Sequence, residues 1–163
     1  CALREGPYGV RTINALVENI LRHERLVRRE GVWYPKRPVM VTKNDYNLRL
    51  YNGDVGIVLE DGGKPRVFFP SADGGFRKFP PLRLPDHETV FAMTVHKSQG
   101  SEFDEILLVL PDRDAPVLTR ELVYTGFTRA KERVSVWGDE GLFLRALSRR
   151  IERSSGLRAT LWA

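Results

Sequence analysis

Thr94-Val95-His96-Lys97-Ser98-Gln99-Gly100-Ser101-Glu102-Phe103 is followed, after Asp104 and Glu105, by Ile106-Leu107-Leu108-Val109-Leu110. The second run is uninterrupted and apolar, the mark of a parallel strand covered on both faces. The first ends a strand predicted over residues 89–94 in hydroxyl, cationic and glycine residues. Polar groups gathered at the carboxyl end of a strand are where open α/β sheets bind ligands. Lys97 can meet a phosphate as a point charge. Thr94, Ser98 and Ser101 can bond phosphate or sugar oxygens, and Gly100 permits close backbone approach. Ionised Glu102, an acceptor only, can hold a ribose hydroxyl. Taken singly, these residues also fit a polar strand-to-loop turn with an exposed His96. Their order over the whole stretch favours a ligand site.

Outward from this stretch the pattern stays α/β. Residues 119–131 read as a helix with Leu122, Val123, Phe127 and Ala130 on its apolar face, Thr119 as cap and Glu121 in the first turn. On helical spacing Arg129 lies at the edge of that face, one turn after Thr125. It is either a surface arginine running along its own helix or a cation aimed across a cleft at a terminal phosphate. Residues 134–137 form another strand, and Leu142, Phe143, Ala146, Leu147 and Ile151 mark a last helix. Upstream, Ile13, Leu16, Val17, Ile20, Leu21 and Val27 predict an amphipathic helix over residues 10–29, capped by Thr12 or Asn14 and ended by Gly31. Residues 38–42 form a short buried strand. Strands alternating with helices imply a parallel sheet.

The middle of the chain has another character. Residues 48–51, 55–59, 66–69 and 76–79 read as short β segments, with Asp61-Gly62-Gly63 and Asp73-Gly74-Gly75 as hairpin turns. This predicts a small antiparallel barrel inserted between two strands of the main domain. Its short strands bury few side chains, so it leans on that domain. Trp33, Tyr34, Phe68, Phe69 and Phe76 are able to stack bases, but aromatic residues in short strands equally serve a core.

Composition narrows the class. With 163 residues, 42% hydrophobic and 29% charged, the chain suits one compact domain with a small insertion and is too hydrophobic for disorder. No apolar run approaches the roughly 18 residues of a membrane helix, and no signal peptide is visible. The expectation is a soluble protein without a membrane partner. Beginning at Cys1 without a methionine, the chain reads as an excised piece of a longer one. Cys1 is its only cysteine, which excludes an intrachain disulfide and a cysteine-rich zinc site. His23, His87 and His96 show no metal-ligand spacing. The net charge of +5 favours a polyanionic partner, chiefly nucleic acid. Arg145, Arg149, Arg150, Arg153 and Arg158 make a basic C-terminal stretch that fits a solvated helix face or a partner surface.

Residues 94–103 resemble motif V of superfamily 1 helicases, and residues 123–131, Val-Tyr-Thr-Gly-Phe-Thr-Arg-Ala-Lys, resemble motif VI. Within that superfamily the resemblance points to the RecD family, the alpha subunits of exodeoxyribonuclease V. Residues 2–9, 42–46, 51–56 and 152–157 fit it as well, so it covers nearly the whole chain. It implies a second RecA-like motor domain (2A) at residues 1–46 and 87–163, with an SH3-like 2B insertion at residues 47–86. It implies 5′-to-3′ DNA translocation in a RecBCD-type complex for recombination and double-strand break repair. ATP would bind between two RecA-like domains, with ATP and Mg2+ held mainly by the first. The implied partners are single-stranded DNA and RecB- and RecC-like subunits, in a bacterial cytoplasm. By the same resemblance Arg129 is the catalytic arginine that reaches the γ-phosphate. Gly100, Glu102 and Arg4 join it on the nucleotide side. Thr94, His96, Lys97, Asn44, Asn52 and Gly53 face DNA. The chain contains no Gly-x-x-x-x-Gly-Lys-Ser/Thr; Gly62-Gly63-Lys64-Pro65 belongs to a hairpin. Without that loop the phosphates and magnesium lack their main holders, so the chain alone is expected to be inactive.

Two other readings fit the same residues. One is a different superfamily 1 helicase, a stand-alone RecD-like enzyme or a relaxase-helicase. The other is a non-catalytic module in which the SH3-like insertion binds protein or DNA.

Overall fold

The computed structural model describes residues 1–27 and 31–151. Its elements run α1 (Val10–His23), β1 (Pro38–Val41), β2 (Val55–Asp61), β3 (Lys64–Pro70), β4 (Phe76–Phe79), β5 (His87–Thr89), β6 (Phe103–Val109), α2 (Arg120–Phe127), β7 (Ala130–Trp137) and α3 (Glu140–Ser148). A five-stranded antiparallel sheet has the order β4-β3-β2-β1-β5, and β6 and β7 form a parallel pair. The fold is therefore mixed α/β with a parallel element, as the strand–helix alternation predicts.

β1 is an interior strand of the larger sheet, paired with β2 on one side and β5 on the other. That position explains its apolar sequence: Val39, Met40 and Val41 are all buried. With Leu50, Val58, Val67 and Phe69 they build one core, flanked by Trp33, Leu48, Phe79 and Leu84. Each such side chain fully withdrawn from water contributes about 1.5–3 kcal/mol. Gly56 in β2 is required by packing, since a Cβ there would lie 2.9 Å from both the Phe69 ring and the Phe68 carbonyl.

The predicted closed barrel is not formed. β4 and β5 are the two free edges of an open sheet. Pro80 and Pro81 follow β4, and without N–H donors they cannot extend its ladder toward the far edge. The sheet also runs past the expected ends of the insertion, because β1 and β5 pair within it. Residues 48–51 are not a strand. They close a loop through an isolated bridge between Asp45 and Leu50, with Leu50 plugged into the core. The strand predicted over residues 89–94 does not form: only Thr89 is in a strand, as the last residue of β5, and residues 90–94 carry the chain to the second core.

That second core comprises Val95, Leu108, Leu110, Leu118, Leu122, Val123, Leu142 and Ala146, with Ala2, between the parallel pair and helices α2 and α3. Thr119 caps α2 by accepting from the Leu122 N–H, as predicted. Asp139 caps α3 in the same way through the Leu142 N–H, an interaction worth about 1 kcal/mol. β6 is not covered on both faces, contrary to the reading of its apolar run. Leu108 is buried while Leu107 is 60% exposed, because α2 and α3 lie on one side only. The other side opens into a trough of about 380 Å³ lined by Ile13 and Val17 of α1 and by Ile106 and Leu107.

α1 ends at His23 rather than near Gly31. Arg25 adopts the left-handed conformation (φ 57°) and stops the helix; residues 28–30 lie outside those described. Neither predicted cap acts as one. Gly9 precedes the helix without a side-chain cap, Thr12 donates to the Gly6 carbonyl, and Asn14 turns inward. Polar side chains anchor α1, while on its apolar face Leu16 and Ile20 remain half exposed. Asn14 exchanges two hydrogen bonds with the Ala92 backbone, at 2.9 and 2.8 Å. Glu18 accepts from the Tyr34 hydroxyl at 2.7 Å and from Thr89 at 3.2 Å. Arg37, almost fully buried, donates through Nε and Nη2 to Thr89 and through Nη1 to the Val32 carbonyl, while its guanidinium covers the Trp33 ring at 4.9 Å. Burial and the Glu18 carboxylate hold the Tyr34 phenol in its neutral form, well above the ordinary tyrosine range.

Candidate functional site

The stretch that ends in Phe103 folds as a tight turn rather than a strand end. Residues Val95–Ser98 form a short 3-10 helix, capped by the Thr94 hydroxyl, which accepts from the Lys97 N–H at 3.3 Å. This turn buries Val95 and Ser98 and leaves His96 exposed. Ser98 is thereby withdrawn from the predicted set of ligand hydroxyls: it donates inward to the Val95 carbonyl at 2.7 Å. Gly100 follows with φ 83°, a conformation natural to glycine, and nothing lies within 4 Å of where its Cβ would be. The turn is thus open above Gly100, with Glu102 exposed beside it and facing Lys131 at 3.9 Å.

Arg129 sits outside α2, contrary to its helical reading. The helix ends at Phe127, and Arg129 occupies the turn into β7 with its N–H bonded to the Gly126 carbonyl. From there the side chain reaches the other motif. Nη1 donates to the Ser101 carbonyl at 3.3 Å, Nε to the Thr125 carbonyl at 3.3 Å and Nη2 to the Thr128 hydroxyl at 3.1 Å. The Phe103 N–H in turn donates to the Arg129 carbonyl at 2.8 Å. The two motif segments are therefore joined at one edge of the parallel pair. Of the five N–H donors of a guanidinium, three are used here, so the group keeps donors for an incoming oxyanion.

Lys97 points the other way. Its Nζ lies 3.0 Å from Oε1 of Glu88, while Oε2 of the same carboxylate holds Arg4 at 3.1 Å. Arg4 is thus grouped with Lys97 and not with Arg129. Glu88, absent from the sequence reading, is the residue that brings them together, and no local pattern announces it. Lys97, Ser101, Glu102 and Gly53 line one cleft of about 520 Å³, so the loop before β2 and the motif turn share a wall. Asn44, Asn52 and Gly53 belong to that loop. The Asn52 N–H donates to Asn44 Oδ1 at 2.8 Å, and Gly53 adopts φ 101°. Arg129 and Thr94 line the neighbouring apolar trough, which shares Met93 and Phe103 with the cleft.

Other predicted groups have structural duties. Tyr34 and Phe69 are core residues, and Trp33 lies beneath Arg37 against His87. Arg149 donates to Asp114 and to the Ala115 carbonyl, and its guanidinium holds the Asp114 carboxyl below the usual carboxylate range. Arg153, Arg158 and the stretch 152–157 lie outside the described residues. Among the described residues no cluster of three His, Cys, Asp or Glu could hold a metal ion.

The UvrD-like helicase C-terminal domain family matches residues 89–137, the part that carries both motif segments and the parallel pair. Over 96% of its length the chain is 45% identical to the RecBCD enzyme subunit RecD of Haemophilus influenzae. The chain belongs to the RecD family. Family members extend to an ATP-dependent RecD2 DNA helicase of Deinococcus radiodurans, 36% identical over 92% of this chain. The chain spans about a quarter of the length of these RecD relatives, 23% and 21% respectively. A Bacteroides Pif1 helicase crystallised with ADP-AlF3 and single-stranded DNA is 21% identical, with a TM-score of 0.45 over 75% of this chain and 38% of that one.

Proposed function

We propose that this chain is the second motor domain of an ATP-dependent DNA helicase in a RecBCD-type complex, acting 5′ to 3′ in recombination and break repair. Residues 1–46 and 87–163 are the RecA-like 2A part, and residues 47–86 are the SH3-like 2B part, built here on the open antiparallel sheet. RecB- and RecC-like subunits are its partners in a bacterial cytoplasm. The observation that carries the reading is the Arg129 guanidinium bonded to the Ser101 carbonyl, which places the cation of one motif on the backbone of the other.

ATP with Mg2+ supplies a phosphoanhydride whose cleavage spreads charge over the γ-phosphoryl oxygens. This chain offers them a preorganised cation but neither a phosphate loop nor a metal-binding acid cluster among the described residues. Arg129 therefore fits as a contact made across a cleft to a nucleotide held mainly by another domain. Gly100 leaves the approach open and Glu102 stands beside it for the sugar. A shift of Arg129 pulls on Ser101 and Phe103, both in the wall of the Lys97 cleft. Thr94, His96 and Lys97 then regrip the DNA backbone, with Asn44, Asn52 and Gly53 across the cleft. A non-catalytic module gives no reason for a cation to be set on the motif turn in this way.

Lys97 offers a direct test. Binding a phosphate there means exchanging the Glu88 carboxylate for a DNA oxygen. In the full-length protein Lys97→Ala is expected to weaken single-stranded DNA binding across all sequences and to lower the log–log salt slope by about one. Fluorescence anisotropy over a salt series measures this, and an unchanged slope removes Lys97 from the phosphate contacts.

A further inference from the structure

We infer that Tyr46 and Tyr51 form a base-stacking platform for single-stranded nucleic acid beside the Lys97 cleft. The inference rests on the DNA-binding reading above and assigns two residues that neither motif contains. Tyr46 is 74% exposed and Tyr51 46% exposed, and their rings meet edge to face with centroids 6.2 Å apart. Single exposed apolar side chains are ordinary on a protein surface. Two aromatic rings held together on one rigid loop are different, because they present stacking faces whose ordering has already been achieved in the folded chain.

The rigidity has visible causes. Asp45 and Leu50 exchange backbone hydrogen bonds at 2.7 and 3.0 Å, and Leu50 is buried in the sheet core. Arg77 of β4 donates to the Leu48 and Arg49 carbonyls, both at 3.0 Å, fastening the loop to the sheet. Asn44 ties the two ends of the loop together: its Oδ1 accepts from the Asn52 N–H at 2.8 Å, while its Nδ2 makes only a long, exposed contact of 3.4 Å with the Tyr46 hydroxyl. The Tyr51 N–H donates to Asp54 and the Asp54 N–H returns to the Tyr51 carbonyl, closing a turn around Gly53.

The surroundings suit a polyanion with flat bases. Lys43 and Arg49 are exposed on the same loop. The loop's acids are engaged by backbone donors, Asp45 by the Leu48 N–H and Asp54 by the Tyr51 N–H. Gly53, two residues after Tyr51, lies in the wall of the cleft that contains Lys97 and Ser101, so the tyrosine loop adjoins the path of a strand whose phosphate meets Lys97. Every base has a π-face, so this platform reads no sequence.

The test uses the full-length protein with an oligothymidylate and a fully abasic strand of equal length, followed by anisotropy at fixed salt. The double variant Y46A/Y51A is expected to bind the oligothymidylate about tenfold more weakly and the abasic strand within about twofold of wild type. Y46F/Y51F, which keeps the rings, is expected to match wild type on both. The inference is overturned if Y46A/Y51A keeps wild-type oligothymidylate affinity, including the case in which it instead loses a protein partner. It is equally overturned if the abasic strand suffers the same loss, or if the phenylalanine pair fails like the alanine pair. Wild-type protein that binds neither strand refutes the DNA reading itself, and the platform with it.

Discussion

Replacing Arg129 by alanine in the full-length protein is expected to lower kcat for ATP hydrolysis by about a thousandfold or more, the range typical of an arginine that stabilises phosphoryl-transfer charge. Single-stranded DNA affinity should stay within about threefold, because Lys97, the proposed DNA contact, is held by Glu88 and not by Arg129. The two readouts must separate. Arg129 also ties the turn after α2 to Ser101, so its loss could merely loosen the motif turn. Loosening alone would weaken DNA binding together with turnover. Arg129→Lys keeps the charge but loses the fork of donors, and is expected to recover only part of the rate. A kcat for Arg129→Ala within a few-fold of wild type rules the arginine out of the chemistry.

The second large effect concerns stability. Arg37→Ala is expected to cost about 3 kcal/mol, in the range for breaking a buried charge network. The side chain supplies three hydrogen bonds and covers Trp33, and it lies 3.9 Å from Glu18. Its removal leaves the Glu18 carboxylate, which joins α1 to β5 through Thr89 and to Tyr34, with Arg22 at 3.8 Å as its one paired cation among the described residues. Burial already pulls the Arg37 guanidinium below its ordinary pKa, so the partners are what keep a charged group tolerable there. Urea unfolding followed by far-UV circular dichroism measures the loss. A midpoint unchanged by the substitution would show that α1 is held by its apolar contacts instead.

Local pattern made part of the fold legible. β2, β3 and β4 follow from short apolar segments punctuated by Asp-Gly-Gly turns, and β1 from three consecutive apolar residues buried on both faces. Thr119 announced α2 because a cap is a local interaction. What failed depended on distant partners. Leu48 and Leu50 looked like a strand, yet their spacing reflects a loop with Leu50 inserted into the sheet core. The apolar run of β6 implied two covering layers, and α2 and α3 provide one. The helical reading of Arg129 failed, since where α2 ends is set by the turn into β7. The pairing of Arg4 and Lys97 on Glu88 spans the whole chain and has no local sign. Tyr46 and Tyr51 were within the matched segments, but only their exposure and mutual geometry single them out.

The central claim is that these 163 residues hold half of a nucleotide site, with Arg129 serving an ATP bound chiefly by another domain. ATP turnover by the isolated chain, with Mg2+ and saturating single-stranded DNA, measures this most directly. No turnover above background is expected. Steady turnover by the isolated chain that disappears in Arg129→Ala would contradict it, because the site would then be complete within this chain.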